Sequence, residues 1–105
     1  MKRSDRERLG DIADAIAVIR QHMARSRLDE RLRRDAILYN LVVVGEAVKG
    51  LSDDTKAKRP EIPWRKISGL RDLLAHEYFR IEIDEIAKIV DRDLTPLEEA
   101  VAGLR

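Results

Sequence analysis

The chain has no cysteine, which excludes a disulfide framework and a thiolate metal site. Its aromatic residues are only Tyr39, Trp64, Tyr78 and Phe79, so aliphatic side chains must build the core. Long apolar runs are also missing. The most apolar segment, Ala36 to Val48, is interrupted by Asn40 and Glu46 and falls short of the roughly 20 residues that a membrane-spanning helix needs. The opening MKRSDRER has the charge of a signal peptide but no apolar stretch behind it, unlike a secretory leader. The expectation is a soluble cytoplasmic protein with no membrane partner. Charge of one sign is scarce as well: a net charge of +1 predicts no strong polyanion affinity by itself.

What the chain does have is charge of both signs, at 39% of its residues, a load that amphipathic helices with solvated outer faces can carry. Its 105 residues make one domain, 1–105, able to bury roughly two thirds of its unfolded surface. The charge is unevenly placed. Residues 56–80 hold seven Lys/Arg (56, 58, 59, 65, 66, 71, 80) against three acids, and residues 81–105 hold three against seven.

Ser4 followed by Glu7 is a capping-box pattern that opens a first helix. Leu9, Ile12, Ile16, Ile19 and Met23 then form one apolar stripe. The polar run Ala24 to Asp29 ends this helix or joins it to the next. A second helix is expected from Asp29 to about Leu51, charged at first and then apolar nearly all round, as befits a buried centre. Gly45 inside it costs roughly 1 kcal/mol relative to alanine, which a close helix crossing would explain. A helical turn is plausible around residues 53–58. Pro63 suits the first position of a third helix, whose core stripe is Ile67, Leu70 and Leu74. Asp84 can cap a last helix that keeps one stripe from Ile83 to Leu104, with a kink at Pro96 where the ring meets the carbonyl of Arg92. The expected fold is all-α: a compact up-and-down bundle of four to five helices.

Residues 71–79, RDLLAHEYF, gather chemistry more tightly than any other stretch. Arg71 is a fixed cation able to grip a phosphate through two donors. His76 is a proton carrier tuned near neutral pH. Tyr78 offers a modifiable hydroxyl, and Asp72 is placed to orient Arg71 or cap backbone groups. On a regular helix Arg71 and His76 stand about 140° and about 7.5 Å apart, so one copy of the helix does not aim both at one phosphate. His22 sits beside the first stripe as an incidental flank residue. Asn40 and Glu46 satisfy each other or the backbone, or else support the motif. The two histidines show no metal-ligand spacing with carboxylates, so neither metal nor cofactor is expected.

The RX4HXY spacing of Arg71, His76 and Tyr78 resembles the HepT-like branch of the HEPN superfamily of small helical ribonucleases. The likeness extends through LGDIADAIAVI, RRDAILYNLVVVGEAVKGLS and RPEIPWRKISGLRDLLAHEYF to the acidic last helix, nearly the whole chain. The resemblance implies a homodimer and a toxin of a bacterial toxin–antitoxin pair. Its activity would be metal-independent endoribonuclease cleavage by 2′-hydroxyl attack, leaving a 2′,3′-cyclic phosphate. Arg71 and His76 would be catalytic, Asp72 supporting, and Tyr78 the acceptor of AMP from a minimal nucleotidyltransferase antitoxin. A two-fold dimer would supply every residue twice and so bring two motifs to one composite site. The alternative is a non-catalytic HEPN-like dimer that docks a nucleotidyltransferase or nucleic acid.

Overall fold

The computed structural model describes residues 3–24 and 30–105, and every described element is helical. The helices are α1 (Asp5–Ala24), α2 (Glu30–Gly50), α3 (Asp53–Ala57), α4 (Trp64–Ser68), α5 (Leu70–Glu77), α6 (Ile83–Ile89) and α7 (Thr95–Leu104), with a π-helical turn, Val90–Leu94, between the last two. With α4 and α5, joined at Gly69, and α6 and α7, joined by the π-helical turn, each counted together, the all-α bundle has five helical units among the described residues. The run Ala24 to Asp29 lies outside them beyond Ala24.

The capping box forms as expected. The Glu7 N–H donates to Ser4 Oγ at 3.1 Å, and the Ser4 N–H donates to Glu7 Oε1 at 3.2 Å. Leu9, Ile12, Ile16 and Ile19 are buried, and α1 packs along α2 and touches α7. Helix α2 is the hub, in contact with α1, α4 and α5, and it buries Ile37, Leu38, Leu41, Val44 and Val48 completely. It is not buried all round, however: Leu32 and Tyr39 are 65% and 68% exposed.

Gly45 marks the close crossing that the sequence suggested. A Cβ there would lie 3.2 Å from Arg71 N and 3.3 Å from Ile67 O. The backbone it faces is the joint where the expected third helix divides. At Gly69 ψ rises to −6°, away from the helical value of about −42°, although the Leu73 N–H still donates to Gly69 O. Pro63 is the cap of α4 rather than its first residue. Its carbonyl accepts from Ile67 N–H, a role that needs no N–H of its own. Trp64 Nε1 donates to the carbonyls of Lys56 and Arg59, fastening the connection from α3.

Two features of the last rod differ from expectation. Glu82, not Asp84, stands at the cap, because its carbonyl accepts from Glu85 and Ile86 N–H. Asp84 instead sits in the first turn, where a negative charge favours the helix dipole. Around Pro96 the rod continues, as expected, but a π-helical turn rather than a simple kink accommodates the proline. The Thr95 N–H bonds five residues back to Val90 O, and the widened turn relieves the clash of the proline ring with the Arg92 carbonyl. The same turn points Asp93 inward, where it is 2% exposed. There it meets Arg92 Nε at 3.1 Å and Lys66 Nζ at 3.6 Å, tying the turn to α4.

Candidate active site

Helix α5 carries the motif on a short rod anchored by Leu70 and Leu74, both buried. With those two facing the core, the 100° step between residues sends Arg71 toward α2, Asp72 and His76 outward, and Leu73 toward α6. Gly45 allows α5 to come close enough for Arg71 to meet the next residue of α2: Arg71 Nε stands 2.7 Å from Glu46 Oε1. Of the two roles open to Glu46, support of the motif is the one its contacts favour. Asn40 bonds its own helix, donating to Ala36 O at 2.8 Å. Because Glu46 holds the Nε side of the guanidinium, the two terminal nitrogens remain as a fork for a phosphate.

His76 is exposed and has no hydrogen-bond partner among the described residues. Arg71 and His76 therefore share a helix but not a target within one protomer. Asp72 is also exposed and makes no ion pair with Arg71. His22 is half-buried, and its enclosed Nδ1 has no hydrogen-bond partner among the described residues. Among the described residues, no three His, Cys, Asp or Glu cluster closely enough to hold a metal ion, and no helix is long and apolar enough to cross a membrane.

Tyr78 is the most elaborately held residue of the motif. Its hydroxyl donates to Asp35 Oδ1 at 2.8 Å. Arg34 donates through Nη2 to the Tyr78 carbonyl and through Nε to the Ile81 carbonyl, with its guanidinium carbon 5.2 Å from the Tyr78 ring centroid. The Asp35 hydrogen bond first, then burial, raise the Tyr78 pKa above its ordinary value. Sequence reasoning missed Asp35 altogether and saw Arg34 only as part of a charged helix start. No local pattern could have joined them to a tyrosine 43 positions onward.

Phe79 meets the Tyr78 ring edge-on at 5.3 Å and is otherwise 95% exposed. Beside it, a groove of about 490 Å³ runs between α5 and α6, lined by Leu73, Glu77, Arg80, Ile81, Lys88 and Arg92 among others. Neither Arg71 nor His76 lines it.

Fold and motif together define a small all-α domain that displays an arginine, a histidine and a tyrosine along one short helix and its C-terminal cap. The chain belongs to the HepT-like ribonuclease family, whose model, Ribonuclease HepT-like, matches residues 9–104. It is 36% identical to a "Probable ribonuclease HepT" of Thermococcus cleftensis, over 100% of this chain and 99% of that protein. A protein of Methanocaldococcus jannaschii named as a candidate RNase is 31% identical over 92% of this chain and 93% of its own length. A second from that organism is 32% identical over 70% and 68%. No solved structure is significantly similar to the chain.

Proposed function

We propose that this protein is a metal-independent endoribonuclease, the toxin of a toxin–antitoxin pair, whose active site is composed by two copies of the chain. The observation that carries this reading is the divergence on α5. Arg71 is turned toward α2 with its terminal fork open, His76 is exposed and uncommitted, and one protomer offers a single imidazole where both an acid and a base are wanted.

In the composite site, one His76 takes the proton of the ribose 2′-hydroxyl and the oxygen attacks the adjacent phosphorus. The 5′-oxygen leaves, protonated by the other His76, and the product is a 2′,3′-cyclic phosphate. Arg71 binds the scissile phosphate and stabilises charge that grows in the transition state. Glu46 orients Arg71, and Asp72 adds a polar group at the outer rim. The surplus of Lys/Arg in residues 56–80 favours the approach of RNA.

The outer face of α2 supports the homodimer. Leu32 and Tyr39 are exposed and Val43 is partly so. The three lie on one stripe, with Tyr39 and Val43 each about 160° from the buried Leu41, and the stripe ends at Glu46 beside Arg71.

Control of the toxin is by transfer of AMP to Tyr78 from a minimal nucleotidyltransferase antitoxin, for which ATP is the donor. A bulky anion two residues from His76 repels RNA from the phosphate site.

Mixing wild-type with His76→Ala protein tests the core of the reading. Arg71→Ala and His76→Ala should each lose at least about 100-fold in RNA cleavage, and the mixed dimer, which holds one imidazole, should be as inactive as His76→Ala alone. A mixed dimer with half the wild-type activity would refute the composite site. Retained cleavage in either variant alone would remove that residue from the mechanism. Phe79, 95% exposed beside Tyr78, favours a second reading, a docking module without catalysis; wild-type protein that binds the nucleotidyltransferase and never cleaves RNA would establish it.

A further inference from the structure

We propose that Asp35 is the proton acceptor that makes Tyr78 a nucleophile for nucleotidyl transfer, with Arg34 as the positioning residue that fixes the ring. The inference rests on the reading that Tyr78 receives AMP, and it concerns this chain's own contribution to that step.

Two consecutive residues of α2 hold the polar contacts of Tyr78. The Tyr78 hydroxyl donates a hydrogen bond to the Asp35 carboxylate at 2.8 Å. Arg34 covers the ring with its guanidinium carbon 5.2 Å from the centroid and bonds the carbonyls of Tyr78 and Ile81. Its Nη1 stands 3.4 Å from Asp35 Oδ1, which orients the carboxylate in turn. The side chain of Tyr78 is half-buried, whereas that of Asp35 is 39% exposed, so the pair stands at the surface within reach of a bound nucleotide.

In the step, an electron pair on Tyr78 Oη attacks the α-phosphorus of ATP. The Oη–P bond forms as the bond from phosphorus to the β-bridging oxygen breaks. Pyrophosphate leaves with that electron pair, and the hydroxyl proton passes to Asp35. Since Asp35 also holds the hydroxyl's pKa above the ordinary phenol value, free tyrosinate is scarce at neutral pH. Proton removal must therefore accompany attack, the situation in which a base already in contact contributes most.

The test compares wild type, Asp35→Asn and Asp35→Ala, each incubated with the cognate nucleotidyltransferase and ATP, with modification followed by mass spectrometry. Asparagine keeps an oxygen that accepts the hydrogen bond but takes no proton. It should slow modification of Tyr78 by about 100-fold, while RNA cleavage and helical circular dichroism stay as in wild type. Added formate should restore part of the rate in Asp35→Ala, by returning a carboxylate to the vacated space. Modification of Asp35→Asn at the wild-type rate would overturn the proposal and leave the AMP reading standing. So would a slow Asp35→Asn paired with an Asp35→Ala that formate does not help, since Asp35 would then be a structural pin. A wild-type chain that is never modified at Tyr78 would bring down the AMP reading and this inference with it.

Discussion

At Glu46 and Tyr78, single contacts decide what the motif can do. The Glu46–Arg71 pair is half-exposed on both sides, at 48% and 54%, and exposed ion pairs contribute only about 0–1 kcal/mol to stability. Its worth lies in direction. Glu46→Gln should leave the thermal midpoint nearly unchanged yet lower kcat for RNA cleavage about tenfold, corresponding to about 1.4 kcal/mol of transition-state stabilisation; steady-state kinetics beside a thermal melt would separate the two. Tyr78 makes a contrasting prediction. Its neutral hydroxyl is the form that Asp35 holds, so the folded chain binds this proton more tightly than the unfolded chain, whose tyrosine titrates near pH 10. The resulting stability is fully present below about pH 10 and is lost as pH rises through the raised folded pKa. Asp35→Asn should move the Tyr78 titration, read as tyrosinate absorbance, back down toward the ordinary value. An unmoved titration would show that Asp35 is not what holds the proton.

Among the elements, the joint of α2 with α4 and α5 is the one on which the site depends. Alanine at position 45 would gain up to about 1 kcal/mol of helix propensity. Its Cβ, however, would press on Arg71 N at 3.2 Å and Ile67 O at 3.3 Å, both backbone atoms of packed helices, and overpacking of this kind costs about 1–3 kcal/mol. Gly45→Ala should therefore destabilise by about 1 kcal/mol in a denaturant titration, and should reduce cleavage by more than that loss of fold explains, because α5 must shift away from Glu46. A second joint is sensitive to acid. Asp5 at the start of α1 accepts from Ser52 N–H at 3.0 Å, Ser52 Oγ at 2.5 Å and Thr55 Oγ1. These bonds, the Ser52 hydroxyl foremost, lower its pKa. Stability from this carboxylate is present above its unfolded pKa, near 3.9, and disappears as pH falls through the lower folded value. Asp5→Asn should be less stable by about 1–2 kcal/mol at pH 7 and should approach wild type in strong acid. These joints also mark how far the sequence could be read. Stripes, the capping box and the Gly45 crossing were legible because each is a local pattern with one physical cause. The division at Gly69 was not, since the core stripe Ile67, Leu70, Leu74 runs through it in phase. Nor was the inward turn of Asp93, because a π-helical turn shifts the register of side chains without changing their identity. At the motif, Arg71, His76 and Tyr78 were visible in nine residues, whereas Asp35 and Arg34 join them only through the packing of α2 on α5.

For the whole molecule, the question is whether two chains make one site. An α2 with an apolar stripe on the core side and another on the solvent side gives a domain more apolar surface than one copy buries, and isolated patches of this kind mark interaction sites. A two-fold contact across Tyr39 and Val43 would repeat each of them on both sides, with Glu46 and Arg71 at the edge of the contact. Charge on that stripe should therefore part the copies, and Tyr39 is the position to carry it, since Val43 packs partly against the core. Tyr39→Glu should sediment as a monomer and keep the helical circular dichroism of wild type, because Tyr39 is 68% exposed. RNA cleavage should fall by at least about 100-fold, the loss expected when acid–base groups no longer meet, although Arg71, His76 and Tyr78 are all unaltered. The same protein should still bind RNA weakly through the basic segment, with an affinity that declines with salt in proportion to the phosphates contacted. A monomer that cleaves at the wild-type rate would place acid, base and phosphate grip within one chain, and α5 would then have to bend for Arg71 and His76 to converge. A variant that remains dimeric would put the two-fold axis on another face, for which the exposed Phe79 and Leu73 beside the α5–α6 groove are the next positions to charge.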